Sequence, residues 1–407
     1  MPSVDQPTRI GLEQALQIVA ARAAQHRLPV ETVSLADAPG RVSVDDVRAP
    51  WPLPPFANAA MDGFALHGAD LPRDGERAFA LVGEVFAGAS SVPDVRAGQC
   101  VRVTTGAPMP PGADTVVIKE NALVAGDRVL VNAGERPGAN VRAAGEDYAE
   151  GDLAVPAGTP LAAAHLALLA ACGVAEVTVR RQPRVAVIAT GDELVPAGQP
   201  LGFGRIHDSN GAMLAALARE SGARVVLQRR VRDEPESLRG ALLEAAMEAD
   251  VIVSSGGVSA GEADHLAGVM RELGEIHFHK VRLKPGMPTL FAGIGACLYF
   301  GLPGNPVASA VTFRVFVRLA MRAMLGVAEL PQPRHARLDA PLHKRHPRAE
   351  FARCKLYSDA NGVQWATVHA SQGSAMLRGL VETDALALLP EGEREFRRGD
   401  VVTLWPG

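Results

Sequence analysis

The chain has 407 residues, 47% hydrophobic and 21% charged, with 41 basic against 45 acidic side chains and a net charge of −4. That balance excludes disorder as the main state and supplies no global basic field of the kind that tracks nucleic-acid phosphates. At about 150 residues per domain the length allows two to four domains, and 41 Gly with 30 Pro predict many tight turns.

Cys100, Cys172, Cys297 and Cys354 lie far apart with no C-x-x-C pair. Neither a zinc ribbon nor a disulfide framework is indicated, and a reducing compartment, the cytoplasm, fits best. Residues 1–9 show no basic patch leading into an apolar core, so no signal peptide is read there. The longest uncharged stretch, 285–313, has the length of a membrane span, but nine of its residues are Gly or Pro. It is expected to form short buried strands and loops instead of crossing a membrane.

Residues 10–27 read as an amphipathic helix, with Leu12, Ala15, Leu16 and Val19 at helical spacing. Pro50, Pro52, Pro54 and Pro55 then forbid helix and mark an extended crossing. From 79 to 133, short apolar runs such as 101–105 and 115–118 alternate with turns such as Ala125-Gly126-Asp127, a β-rich module. An Ala/Leu helix over 159–172, ended by Gly173, is expected to pack back near the first helix, which makes the module an insertion. From 183 the pattern is strand, loop, helix, repeated. Strands are read at 185–190, 225–228, 251–255, 276–281 and 297–300, and helices at 211–220, 235–248, 265–273 and 307–324. Such alternation implies a parallel sheet covered on both faces by helices. After Pro331 short alternating strands return, with Asn361-Gly362 as the strongest hairpin signal. The expected domains are a discontinuous linking domain (1–49 with 144–180), an inserted β-rich domain (50–143), an αβα domain (181–328) and a small C-terminal β domain (329–407).

Ligands of open parallel sheets bind at the carboxyl ends of strands, so the loops there carry the search. They are Gly191-Asp192-Glu193-Leu194, then Gly256-Gly257-Val258-Ser259-Ala260-Gly261-Glu262-Ala263-Asp264, then Gly301-Leu302-Pro303-Gly304-Asn305-Pro306. One Gly-rich loop is commonly just a turn; three on one edge point to a site. Asn305 is expected to cap, and Pro306 to open, a helix whose free N–H groups face an anion. Only five of the 41 basic residues are Lys, and two of them, Lys280 and Lys284, fall four residues apart beside these loops. A compact ammonium suits a small multivalent oxyanion, a solvated surface pair being the alternative. Glu193, Asp208, Asp233, Glu262 and Asp264 would repel an anion unless a cation bridges them, and Mg²⁺ is the natural bridge. Asp208 reads first as a helix cap, and Asp233 is open to the same reading. His277 and His279 share a strand face but lack a third ligand, so they read as a packed or surface pair. The basic run 344–348 reads as solvated surface, with an anion clamp as the alternative, and has no interleaved aromatics for nucleic acid.

Further ordered segments add to these: Ala60-Met61-Asp62-Gly63-Phe64-Ala65, Thr104-Thr105-Gly106-Ala107-Pro108-Met109-Pro110, Gly112-Ala113-Asp114, Asn140-Val141-Arg142 and Gly145-Glu146-Asp147. With Thr190 to Leu194, Asp208-Ser209-Asn210, Ser254 to Ser259, Gly261 to Asp264, Lys284-Pro285-Gly286 and Gly301 to Pro306, they make the sequence resemble the molybdenum-insertion enzymes, bacterial MoeA and the gephyrin E domain. The resemblance covers almost the whole chain. It implies a multidomain α/β transferase whose αβα domain binds molybdopterin and whose C-terminal domain is a small β barrel. Molybdate is inserted into the dithiolene of adenylylated molybdopterin, the adenylyl group is hydrolysed with Mg²⁺, and AMP and molybdenum cofactor leave.

By carry-over, the resemblance assigns Glu193, Asp233 and Asp264 to the metal and nucleotide phosphate, and Lys280 and Lys284 to pterin phosphate or molybdate. Asp62, Thr105, Arg142 and Asp147 would act across a homodimer, and Arg353 and Ser374 would complete the anion pocket. Ser255, Gly256, Gly257, Ser259, Gly304, Asn305 and Pro306 would line the cofactor site. A molybdopterin adenylyltransferase and molybdoenzyme chaperones are the implied protein partners; nucleic acid and membrane are not expected. Three positions depart from the family pattern: Ala59 and Ala308 stand where Ser is common, and Met287 where some members carry a second Lys, with Ser309 as the substitute hydroxyl. The rival readings are a molybdopterin adenylyltransferase, which needs only the sheet domain, and a non-catalytic scaffold or carrier. A nicotinamide dehydrogenase lacks its G-x-G-x-x-G fingerprint here.

Overall fold

The computed structural model describes residues 8–257, 263–327 and 333–405, with the side chains of 263–265 outside that description. Two compact units are formed, one from residues up to 31, 40–42 and 179 onward, the other from 32–39 and 43–178.

The first unit is built on a seven-stranded sheet. Its strands are β1 (Thr8–Ile10), β2 (Arg184–Thr190), β3 (Arg224–Val231), β4 (Val251–Ser255), β5 (Glu275–Val281), β6 (Leu290–Ile294) and β7 (Cys297–Leu302), in the spatial order β1-β5-β6-β7-β4-β2-β3. The centre is parallel: β2 pairs with β3 and β4, and β4 with β7. At the far edge β1 also runs parallel to β5, so the sequence expectation of a parallel sheet fails only around β6. Strand β6 was not read from the sequence, and it runs antiparallel to both β5 and β7. It turns into β7 with Ile294 opposite Cys297 and Gly295 at φ +58°. A two-residue hairpin with Gly at its first central position has the twist that antiparallel neighbours need.

Side-chain alternation puts opposite faces of each strand into two cores. Val185, Val187, Val251, Val253, Leu298 and Phe300 pack with α1 (Leu12–Gln25), α2 (Ser209–Glu220) and the helix after β7. Ala186, Ile188, Ile252 and Tyr299 pack with α3 (Pro235–Glu248) and α4 (Ala263–Leu273). The helix read at 307–324 comprises α5 (Pro306–Thr312), a π turn over Phe313–Val317 and α6 (Arg318–Met324). Helix α1 buries Leu12, Ala15, Val19 and Ala23 and packs on α6, a neighbour the sequence reading had not named. It thereby belongs to the sheet's core, although its sequence had been grouped with 144–180.

Strands β8 (Arg334–Leu338), β9 (Ala349–Ser358), β10 (Gln364–Val368), β11 (Ala385–Leu389) and β12 (Val401–Trp405) close into a barrel in the order β9-β10-β8-β12-β11, with β11 returning to β9. Closure removes open strand edges. The β9–β10 turn is where Asn361-Gly362 predicted it: Gly362 has φ +77°. The Asp359 carboxylate accepts from the N–H groups of Asn361 and Val363 and from Trp365 Nε1, each at 2.9 Å. The basic run 344–348, expected as solvated surface, is exposed at Arg345 and Pro347 but corrected at Lys344. Lys344 is only 3% exposed, and its Nζ donates to the carbonyls of His346 and Gly392, both at 2.6 Å. A long stem and three donors let a lysine tie two backbone segments together where carbonyls would otherwise be buried unpaired.

The second unit carries a six-stranded sheet in the order Thr115–Ile118, Gly63–Leu66, Gln99–Val103, Glu76–Val85, Arg128–Asn132, Ala122–Ala125. Its faces bury two small clusters, one around Ala65, Val101 and Val116, the other around Phe64, Phe79 and Val129. Beside it, Leu153–Val155 pairs with Val47–Arg48 and supports the helix Ala163–Ala171. All four cysteines are free and buried. Burial pushes the thiols of Cys100, Cys297 and Cys354 up to about 12 and raises that of Cys172.

Candidate active site at the carboxyl edge of the sheet

The carboxyl ends of β2, β4 and β7 open into a cavity of about 530 Å³. Thr190 ends β2 and Gly191 and Glu193 follow it, Ser255 ends β4 and Gly256 and Gly257 follow it, and Pro303, Gly304, Asn305 and Pro306 follow β7; all line it. Gly256 permits the close approach of the first two loops: it has φ +99°, and a Cβ there would lie 2.3 Å from the Thr190 carbonyl oxygen. The three loops picked out by composition therefore do converge.

A chain of side-chain hydrogen bonds fixes their spacing. Asn210 Nδ2 donates to Ser255 Oγ at 2.7 Å and to the Gly304 carbonyl at 2.6 Å. Ser255 Oγ lies 3.3 Å from Ser309 Oγ, which donates to the Pro303 carbonyl. Ser309 is fully buried in this floor, so its hydroxyl is committed within the chain and does not replace the one missing at Ala308. The sequence reading had included Asn210 only within a longer segment and gave it no role. Its position in the first turn of α2, at the sheet's carboxyl edge, was the signal available.

Acidic groups come together as expected in part. Glu193 and Asp233 both line the cavity. The Glu193 carboxylate folds over Gly191, 2.4 Å from where a Cβ would stand, and has no hydrogen-bond or ion-pair partner among the described residues. Asp233 Oδ1 lies beside Gly257. Asp208 caps α2, accepting from Gly211 N at 2.7 Å. Ser259 and Glu262 lie outside the described residues, as does the side chain of Asp264. Among the described residues no three metal-ligating side chains converge.

The helix start after β7 differs from expectation. Asn305 occupies the cap position, but its side chain does not cap; Nδ2 donates to Ser374 Oγ at 3.0 Å. Pro306 has no N–H, and that of Val307 donates to the Ser374 carbonyl at 3.0 Å. The barrel segment 371–376 thus covers much of the helix end that was expected to face an anion, and its Ala375 lines the cavity. Arg353, on β9, lies beneath this segment and is 1% exposed. It donates to the carbonyls of Ser371, Gly373 and Met376 and to Gln372 Oε1, so it pins the segment from below.

Lys280 and Lys284 stand on β5 and on the short strand Leu283–Lys284, outside the cavity lining. Lys284 Nζ pairs with Glu350 Oε1 at 3.0 Å, and Glu350 is also 2.9 Å from His346 Nε2. His277 packs against Phe291 with ring centroids 4.9 Å apart, a packed histidine as read. Leu194, Ile206 and His207 line the cavity and, through the pairing of Leu194–Val195 with Ile206–His207, close the base of the loop 196–205. Within that loop Phe203 is fully exposed.

In the second unit, Asp62 Oδ1 accepts from Thr105 N at 2.8 Å and Thr105 Oγ1 at 2.9 Å, with Lys119 Nζ 3.6 Å from Oδ2. These bonds, the Thr105 N–H first, hold its carboxyl below the usual range. Arg142 and Asp147 line one groove with Asn58 and Glu146.

A mixed sheet with a Gly-rich polar cavity at its carboxyl edge, joined to a closed five-strand barrel, defines a multidomain α/β protein whose candidate ligand site lies at that edge. Three family profiles match in sequence order: "MoeA N-terminal region (domain I and II)" over 10–173, "Probable molybdopterin binding domain" over 186–323 and "MoeA C-terminal region (domain IV)" over 335–406. The molybdopterin molybdenumtransferase of Nostoc sp. is 37% identical, covering 92% of this chain and 88% of its own length. That of Haemophilus influenzae is 32% identical over 92% and 93%. The MoeA molybdopterin biosynthesis protein of Pyrococcus horikoshii OT3 superposes with a TM-score of 0.81 at 27% identity, over 98% of this chain and all of that one. The chain belongs to the molybdopterin molybdenumtransferase (MoeA) family and is a transferase of molybdenum cofactor biosynthesis.

Proposed function

We propose that the chain inserts molybdenum from molybdate into adenylylated molybdopterin, with Mg²⁺-dependent hydrolysis of the adenylyl group and release of AMP and molybdenum cofactor. The observation that carries this reading is the convergence of three Gly-rich loops with Glu193 and Asp233 on one polar cavity. The glycines let phosphate oxygens approach backbone N–H groups. Two carboxylates fit Mg²⁺, which keeps several waters and is commonly held by one or two carboxylates plus substrate phosphates. Bound there, it would neutralise phosphate charge and activate water. Asp264, the second residue of α4, is proposed as a third member of this set.

Lys284 would receive an anion by exchanging its Glu350 partner, and Lys280 would add charge beside it. Asp62, Thr105, Arg142 and Asp147 are proposed to complete the site in a cytoplasmic homodimer, with four domains divided as the sequence suggests except that the first helix goes with the sheet domain. Arg353 and Ser374 act on the cavity through the segment 371–376.

The test is a reconstitution with adenylylated molybdopterin, Mg²⁺ and micromolar molybdate, following AMP release and activation of a cofactor-free molybdoenzyme. Molybdate-dependent AMP release is expected, lowered at least about tenfold in Glu193→Gln and Asp233→Asn. ATP consumption with molybdopterin in the absence of molybdate would instead assign an adenylyltransferase, and binding without AMP release a carrier.

A further inference from the structure

Asn210 carries more than the spacing of the loops. Its two Nδ2 hydrogens have two acceptors, Ser255 Oγ and the Gly304 carbonyl. A flipped amide would set Oδ1 against the Gly304 carbonyl, two acceptors facing each other, so the network fixes which end of the amide is oxygen. That oxygen is buried and accepts no hydrogen bond among the described residues, while Asn210 itself lines the cavity. A buried acceptor left unpaired carries a desolvation cost that a partner group would remove.

Among the described residues, the neighbouring groups cannot supply the partner. Asp208 is an acceptor already holding Gly211 N, Glu193 is a carboxylate, and the Ser255 hydroxyl has Ser309 Oγ and the Pro303 carbonyl before it. We infer that Asn210 Oδ1 is the acceptor for one hydrogen-bond donor of the bound nucleotide, a ribose hydroxyl or an exocyclic amino group, which makes Asn210 a specificity-determining residue. The inference rests on the reading of the cavity as the site of the adenylyl group. A site built to hydrogen-bond a ligand hydroxyl or amine rejects analogues that lack it, because its own buried polar atom is then unpaired.

The experiment uses the full-length protein and calorimetric titration with AMP, 2′-deoxy-AMP, 3′-deoxy-AMP and purine riboside 5′-monophosphate, each analogue lacking one donor. The wild-type chain is expected to bind one of the three at least about tenfold more weakly than AMP. Asn210→Ala should bind AMP with a similar loss and no longer distinguish it from that analogue. Wild-type binding of all three analogues as tightly as AMP overturns the inference, and decides the matter even if Asn210→Ala does not fold. A uniform loss in Asn210→Ala that leaves the discrimination intact also overturns it, leaving Asn210 a positioning residue. Failure of the wild-type chain to bind AMP at all would instead remove the nucleotide reading of the cavity.

Discussion

Single residues decide whether the cavity forms. Gly256→Ala would have to place a Cβ 2.3 Å from the Thr190 carbonyl at φ +99°, so both backbone strain and steric overlap act. A loss of about 3 kcal/mol is expected in denaturant unfolding, together with loss of AMP release. His277 sets a pH dependence. Burial first, then the charges of Arg22 and His26, lower its pKa from 6.5, and the Glu275 carboxylate at 3.6 Å only partly opposes them. The unfolded chain therefore keeps this proton to higher pH than the folded one. Stability contributed by neutral His277 is lost as pH falls from 6.5 towards the lowered value. Urea midpoints of His277→Gln should fall less than those of the wild type over that window.

At the scale of elements, the helix after β7 carries a stripe of like charge. Arg314, Arg318 and Arg322 recur every fourth residue on half-buried positions. Burial, and for Arg318 the two flanking guanidiniums, lower their pKa values, with Glu220 the counter-charge for Arg314 and Arg318. Replacing a half-buried cation of this kind with an apolar side chain of similar length removes desolvation and repulsion while keeping the packing of the stem. Arg318→Met should stabilise the chain by about 1 kcal/mol, more at low salt than at high, as read by its urea midpoint.

Which elements were legible follows from where their determinants lie. Helix α3 and strand β4 were read to the residue, because the apolar period and flanking Pro or Gly are local. Strand β6 was missed because it lies in an uncharged stretch where strands and buried loops share one composition. The reversal at the helix start, with Asn305 turned to Ser374, depends on partners 69 residues apart, and no local pattern encodes that. The burials of Arg353, expected in an anion pocket, and of Lys344, expected at the surface, are alike: carbonyls of segments 18 to 48 residues away help to make each an interior cation.

At the scale of the whole molecule, each unit has cores of its own. Two calorimetric transitions are expected, since separate cores lose their contacts in separate cooperative steps. AMP at about a hundred times its Kd should add about 2.7 kcal/mol to the unit that holds the sheet. No shift of that transition would contradict the placement of the cavity as the ligand site, and a shift of the other as well would fit the proposed completion of the site by Asp62, Thr105, Arg142 and Asp147.

The burial of all four thiols has a practical side. Thiolate is the species that reacts with alkylating reagents, and thiols raised to about 12 form almost none of it near neutral pH. The native chain is therefore a silent background for maleimide chemistry. A single Phe203→Cys substitution in the exposed loop whose base lines the cavity would give one addressable position, where a fluorophore would be attached without removal of any natural cysteine.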